Sequence, residues 1–280
     1  MRQITCVVEN SVRPSTPFWG EHGLAFLIET DDGCVLFDTG RSEPVLTHNL
    51  ACLERSPQEI TALALSHAHN DHTGGLTAIL SQNRTSSLPL YANPDIFRPR
   101  YSHLPSGEIK SLGLTLTEAE LRQGFDLRLN AAPVEVLPGL WTTGEITNRS
   151  EPEGRSPHHK VTKGKKGWQP DPYRDDLSLV LETDAGLVLI CGCCHAGLLN
   201  TLAHVGRHFK APVTAIVGGT HLVSADMAQL QRIIEVLRSE YRTLDFYVNH
   251  CTGERAFLVL AKIFGDRLHS CPAGTMVSFD

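Results

Sequence analysis

Residues 66–75 read SHAHNDHTGG: three histidines and an aspartate fall between His67 and His72, and the run closes on a glycine pair. The stretch TALALS that leads into it has the short apolar character of a strand. His67 and His69, two apart on extended chain, project to the same side because strand side chains alternate. Asp71 and His72 are expected to come from the turn that Gly74 and Gly75 permit. Such crowding of titratable groups is tolerable where cations neutralise it, with two histidines holding one divalent ion while the aspartate and the last histidine hold a neighbour. Neutral imidazole and carboxylate suit zinc first, and also iron or manganese. Two such ions, about 3.5–4 Å apart, lower the pKa of a bound water and polarise a phosphoryl or carbonyl oxygen.

Three further histidines follow the same grammar. LVLICGCC runs into His195, TAIVGGT into His221 and DFYVN into His250. Parallel strands of α/β folds put their carboxyl ends on one edge, where ligands bind. If the four strands run the same way, four separated histidines converge on one site. A lone histidine after a strand is ordinarily a hydrogen-bonded structural residue, so the weight lies in the cluster.

Elsewhere, ITCVVE, LAFLIET and CVLFDTG read as strands of an N-terminal antiparallel meander, with a tight turn at the DDG of 31–33. Ser42 is placed to cap a helix through EPVLTHNLACLERS, with Pro44 in its first turn. Met227, Leu230, Ile234, Leu237 and Tyr241 recur at helical spacing and predict an amphipathic helix on a sheet. The stretch from about 93 to 175 breaks the rhythm with prolines and glycines, and RSPHHKVTKGKKG (155–167) is basic. It reads either as a solvated loop or as a lid whose lysines, Lys165 among them, meet an anionic substrate.

The chain has 280 residues, 41% of them apolar, enough for one large α/β domain over 1–280 with a lid or insertion at about 93–175. A net charge of −6 gives no basic footprint for a phosphate backbone, so nucleic acid is not expected as a partner. The opening MRQITCVVENSV lacks the apolar core of a signal peptide, and no segment approaches a membrane span; a cytoplasmic protein is expected. In that setting the eight cysteines are expected as thiols. Cys6, Cys34, Cys52 and Cys271 read as packing, whereas Cys191, Cys193, Cys194 and Cys251 neighbour histidines.

His67-Ala-His69-Asn-Asp71-His72, followed by Thr-Gly-Gly, resembles the HxHxDH signature of the metallo-β-lactamase superfamily. Asp38 in LFDTG, at the end of an earlier strand, strengthens the resemblance. VVENSV, TTGEI (142–146), DDLSLV (175–180), GCCHAGLLNTL (192–202), GGTHL (218–222) and NHCTG (249–253) extend it over nearly the whole chain. Together they resemble a subfamily of metal-dependent hydrolases that includes an archaeal dihydropterin-methyl ribofuranosyl-aminobenzene 5′-phosphate synthase. The resemblance implies an αββα four-layer sandwich and a pair of divalent metals. It implies His67, His69 and His195 at the first metal, Asp71, His72 and His250 at the second, and Asp38 orienting a ligand histidine. His221 is the alternative to His195, or a substrate contact.

Two departures stand out. Where many members carry a bridging aspartate after the strand corresponding to LVLICG, this chain has Cys193, which either ligates as a thiolate or is simply buried. Where many hydrolases carry a further histidine in a glycine-bounded turn, it has Glu145, a candidate substrate contact. Asp71 is the first candidate for handling a proton beside the metal-bound water.

Three functions follow. A metal-bound water or hydroxide hydrolyses a phosphoester, ester or lactone of a small anionic molecule. Alternatively, a transferase joins a pterin-like pyrophosphate substrate to an aminobenzene phosphate with loss of pyrophosphate, in a pocket with aromatic walls drawn from Phe18, Trp19, Trp168 and Tyr173. The third is a metal-dependent ligand-binding module with little turnover. The sequence leaves a homo-oligomer open.

Overall fold

A computed structural model of the chain describes residues 2–82, 87–164 and 167–280, so Lys165 lies outside the described residues. The opening meander forms β1 (Arg2–Val8), β2 (Ala25–Thr30) and β3 (Gly33–Phe37), with Asp31 and Asp32 as the turn between Thr30 and Gly33. Next come α1 (Glu43–Cys52), β4 (Ala62–Ala64), the short helices α2 (Asn70–Thr73) and α3 (Leu76–Leu80), and β5 (Leu88–Ala92). The middle of the chain supplies β6 (Arg100–His103), β7 (Ile109–Ser111), α4 (Glu118–Leu121), β8 (Phe125–Leu129), β9 (Glu135–Leu137), β10 (Leu140–Thr142), β11 (His159–Lys163) and β12 (Gly167–Pro170). The remainder gives β13 (Ser178–Thr183), β14 (Gly186–Cys191), α5 (Leu198–His208), β15 (Val213–Gly219), α6 (Met227–Glu240), β16 (Asp245–Asn249), α7 (Glu254–Phe264), β17 (Leu268–Ser270) and β18 (Met276–Phe279).

Two seven-stranded sheets stack face to face, ordered β18-β1-β2-β3-β4-β5-β8 and β17-β16-β15-β14-β13-β10-β9. Strand alternation divides the apolar residues between layers. Phe26, Ile28 and Phe37 of one sheet meet Leu179, Leu181, Val188 and Ile190 of the other, while Leu27, Leu36 and Leu63 face outward onto Leu46, Leu50 and Ile79 of α1 and α3. On the far side, Leu189 and Ile216 pack under Leu202, Leu230, Leu237 and Leu260 of α5, α6 and α7. The result is the αββα sandwich. Strands β3, β4, β5 and β8 run parallel, as do β14 to β17, so the His-bearing ends of β4, β14, β15 and β16 come out at one edge.

Local details differ from the sequence expectations. Ser42 does precede α1, but its side chain does not cap it: Oγ donates to Glu21 Oε2 at 2.6 Å instead. Helix α6 buries Leu230, Ile233 and Leu237, whereas Met227 is 51% exposed, because the turn starts at an Asp226–Gln229 capping box that carries Met227 to the outside. The stretch 93–175 is not one insertion. It donates β8 to the first sheet and β9 and β10 to the second, and only β6, β7, β11 and β12 stand apart, as a four-stranded sheet ordered β12-β11-β6-β7.

Candidate metal centre

The loop after β4 carries His67 and His69 into the interior, and the one-turn helix α2 then presents Asp71 and His72. Gly74 and Gly75 do not serve through unusual dihedrals. A Cβ on Gly74 would stand 2.0 Å from the Arg41 carbonyl oxygen, and one on Gly75 2.2 Å from that of Thr39, so the pair lets the loop after β3 press against α2. Asp38 on that loop holds the centre from behind. Its carboxylate accepts the Ser66 N–H, the Ser66 hydroxyl and His72 Nδ1, each at 2.7 Å.

These bonds fix tautomers. The Ser66 hydroxyl spends its hydrogen on Asp38 and therefore accepts from His67 Nδ1 at 2.8 Å. His195 Nδ1 donates to the Gly154 carbonyl at 3.0 Å, and His250 Nδ1 to Asn10 Oδ1 at 3.0 Å. With Nδ1 protonated in His67, His195 and His250, the Nε2 lone pair of each is left for an electrophile, and His72, its Nδ1 held by Asp38, offers its own Nε2 once that nitrogen gives up a proton.

The Nε2 atoms of His67, His69 and His195 are buried without a partner, and the three residues offer ligand atoms within 4.8 Å of one another. Leaving such an atom unsatisfied costs about 1–3 kcal/mol apiece, a debt that a shared divalent cation removes. Burial, reinforced by the neighbouring imidazoles, pushes all three well below the usual histidine pKa, so they are neutral as ligands must be. A second group adjoins. His72 Nε2 and His250 Nε2 are 3.3 Å apart, and Asp71 Oδ2 lies 3.8 and 3.5 Å from them. Ligands at about 2.1 Å around a tetrahedral ion sit about 3.4 Å apart, so this spacing also fits a cation. Burial works against charge on His72, but Asp38 and Asp71 outweigh it and raise the imidazole to about 9; burial drops His250 to about 3. Asp71, despite burial, is held below the ordinary carboxylate range by His72 and His250.

Cys193 stands between the groups, with Sγ 3.2 Å from His72 Nε2 and within 4.8 Å of the His67 ligand atom. Burial, and Cys251 beside it, push the thiol well above its usual pKa. His221 is not part of either group. Its ring lies 4.2 Å from that of His195, its φ is +46°, and it faces a cavity of about 300 Å³ over the centre, lined also by Arg41, Leu112, His159 and Val223. Asp38, Tyr173, Cys194 and His250 share that left-handed backbone region, at about 1–3 kcal/mol of strain each. A larger hollow of about 670 Å³ beside Trp141, Leu187 and Phe209 lies at the opposite end of β14 and holds none of these residues.

Two expected contacts fall elsewhere. Glu145 pairs with Arg174 at 2.9 Å and stays out of the cavity lining. Trp168 packs edge-on against Tyr101 and His103 in the small sheet and is no part of the cavity lining. Trp19 stacks on His48 with ring centroids 3.9 Å apart, also outside the lining. Of the aromatic residues named from the sequence, Tyr173 alone flanks the metal groups, stacked on His195 at 4.3 Å.

Other residues carry no sequence signal of their role. Glu9 accepts the His250 N–H at 2.7 Å, and exposed His22 reaches Asp71 at 3.3 Å. Asp175 accepts the Ala68 N–H between the first two histidines, while Asp176 accepts those of His195 and Ala196. The adjacent aspartates thus clamp both metal-bearing loops. Buried Arg100 of β6 sits 2.6 Å from Asp175, 3.0 Å from Asp171 and 2.9 Å from Asp95. His159, hidden in the basic run 155–167, puts its ring 4.9 Å from that of His69; burial lowers it to about 4. The doubled histidine in that run was the one available hint.

Fold and centre together define a protein of the metallo-beta-lactamase superfamily: the chain belongs to it, and the family model matches residues 19–166. More particularly, it is 30% identical to the 7,8-dihydropterin-6-methyl-4-(beta-D-ribofuranosyl)-aminobenzene-5′-phosphate synthase of Methanocaldococcus jannaschii, over 99% of this chain and 96% of that one. An uncharacterized protein of the same organism is 27% identical over 88% of this chain and 90% of its own. Among solved structures, Tm1679, described as a metal-dependent hydrolase of the beta-lactamase superfamily, superposes with a TM-score of 0.84 at 24% identity over the whole of both chains. Zinc-bound PqqB from Methylobacterium extorquens matches with a TM-score of 0.57 at 11% identity, covering 99% of this chain and all of that one.

Proposed function

We propose that the protein is a binuclear metal enzyme that hydrolyses a phosphoester, ester or lactone of a small anionic molecule. The observation that carries the reading is the pair of converging ligand groups, with the Nε2 atoms of His67, His69 and His195 buried without a partner beside a cavity of about 300 Å³. His67, His69 and His195 would hold one ion, and Asp71, His72 and His250 the other, with Cys193 adjoining both. Such a pair, zinc by preference, supplies Lewis acidity and brings the pKa of water toward neutrality. Asp71, kept ionised by the imidazoles around it, accepts a proton at Oδ2 and passes it toward His22, 3.3 Å away on the open side. Arg41 on the cavity wall attracts the anionic end of the substrate. A cavity of this size and a net charge of −6 favour a small molecule over nucleic acid. No helix among the described residues is long and apolar enough to cross a membrane.

A second reading, transfer instead of hydrolysis, is favoured by the full-length likeness to a synthase. An aromatic nucleophile would then take the place of water on a pterin-like pyrophosphate, in contact with His159, His221 and Leu112. The deciding experiment measures metal per chain on protein purified without chelator, then turnover of phosphoester, lactone and pterin pyrophosphate panels with and without an aminobenzene phosphate. Near two metals and turnover by water alone support hydrolysis. Turnover only with the aminobenzene acceptor moves the assignment to transfer. Metal uptake without turnover on any panel overturns both in favour of a binding module.

A further inference from the structure

The imidazoles of His67, His72, His195 and His250 all set Nδ1 against an acceptor and turn Nε2 toward the metal groups. His159 is wired the other way round. Its Nδ1 lies 2.9 Å from the hydroxyl of Tyr173, a side chain only 1% exposed. That hydroxyl already accepts the Ser156 N–H at 3.1 Å, and His159 Nδ1 is the acceptor that its single hydrogen reaches among the described residues. Buried hydroxyls do not leave their hydrogen unused. Tyr173 therefore donates, His159 Nδ1 accepts, and the neutral ring carries its proton on Nε2.

His159 Nε2 has no hydrogen-bond partner among the described residues, and the residue lines the cavity above the metal groups. A ring in this tautomer offers a donor where a metal ligand offers a lone pair. Arg41 lines the same cavity, and its guanidinium has no ion-pair partner among the described residues. An N–H donor and an arginine lining one small cavity are the chemistry that recognises an anionic oxygen.

We propose that Tyr173 locks His159 as an Nε2–H donor and that this donor, with Arg41, binds a phosphate-type oxyanion of the substrate. Tyr173 is a positioning residue: its hydroxyl acts through the imidazole and touches no substrate. Strand pairing explains how the small sheet delivers the group, since His159 pairs with Ser102 of β6, itself tied through Arg100 and Asp175 to the loop of His67 and His69. The inference rests on the proposed function in taking the cavity as the substrate site.

The test uses zinc-loaded full-length protein with 15N-labelled histidine and inorganic phosphate as the probe. Long-range proton–nitrogen correlation reads the His159 tautomer directly, calorimetry reads phosphate affinity, and elemental analysis reads metal in every variant. Wild type is expected to show a protonated Nε2 and a bare Nδ1. Tyr173→Phe is expected to lose that preference and to weaken phosphate about tenfold with metal content unchanged, the range for a hydrogen bond to a charged group. His159→Ala should weaken phosphate by as much. His159→Gln, whose amide places N–H near the position of Nε2, should stay within about threefold of wild type, and adding Tyr173→Phe to it should cost nothing more. A proton on Nδ1 in the wild type, or equal phosphate affinity in wild type and His159→Ala, overturns the inference. Loss of metal from the wild type would instead strike at the proposed function, which is read separately.

Discussion

Asp38→Asn is the most informative single substitution. Asp38 has a φ of +62°, a conformation that asparagine adopts about as readily, so the exchange leaves the backbone cost unchanged and alters only the head group. The amide oxygen keeps the Ser66 N–H, but the NH₂ now faces the Ser66 hydroxyl and His72 Nδ1, two groups that donate to the wild-type carboxylate at 2.7 Å. His72 escapes the clash of donors by giving up its Nδ1 proton and keeping one on Nε2, the atom aimed at Asp71 and His250. Outer partners of this kind are worth about 10–100-fold in metal affinity. At 1.4 kcal/mol per decade that is about 1.4–2.8 kcal/mol at the second group. His67 feels Asp38 only through Ser66, so the first group should lose about tenfold or less. Zinc competition against a chromophoric chelator, fitted to two sites, measures both. Unchanged affinity at both sites, in a variant with wild-type circular dichroism and Tm, would refute the assignment of tautomers on which the centre is built.

Other outcomes follow from the same geometry. His69→Ala should lose the ion of the first group while far-UV circular dichroism is retained; full metal content and full activity would sink the site. Because His72 is raised to about 9, metal binding at the second group must displace its proton below that pH. Apparent affinity should therefore climb by about one decade per pH unit between 7 and 9 and level off above, with one proton released per ion in calorimetry across buffers at pH 7.5. The same sign governs the metal-free fold: stability from the raised His72 is fully present below about 6.5 and is lost as pH rises through about 9. Gly74→Ala places a methyl 2.0 Å from the Arg41 carbonyl, backbone that cannot swing aside. Its overpacking should cost about 1–3 kcal/mol or more and lower Tm by about 3–10 °C in a thermal melt.

The centre was legible where chemistry and strand direction coincide in sequence. HAHNDH gives ligand types at fixed spacing, and a histidine directly after an apolar run marks a strand's carboxyl end, as at His195 and His250. What stayed hidden depends on long-range pairing. His159 reaches His69 because β11 pairs with β6, 57 residues away between His159 and Ser102, and nothing local encodes that. Glu145 looked like a site residue because it stands where many hydrolases carry a histidine, and Trp168 for its chemistry, but Arg174 pairs with the first and Tyr101 and His103 pack on the second. The glycine pair does make the turn between α2 and α3, but its service in admitting a neighbouring backbone is set by the distant loop after β3. Asp175 and Asp176 stood in a recognisable motif without any hint that they clamp two separate loops.

Arg100 joins the small sheet to the loop that bears His67 and His69, since the carboxylate beside it, Asp175, also takes the Ala68 N–H. Swinging that sheet aside would pull the guanidinium from Asp175 and leave a buried carboxylate unpaired, at about 3–5 kcal/mol for a broken buried pair. Roof and floor therefore move as one piece. The wall that His159 gives the cavity is thereby tied to the loop of His67 and His69, and opening it would cost that ion pair.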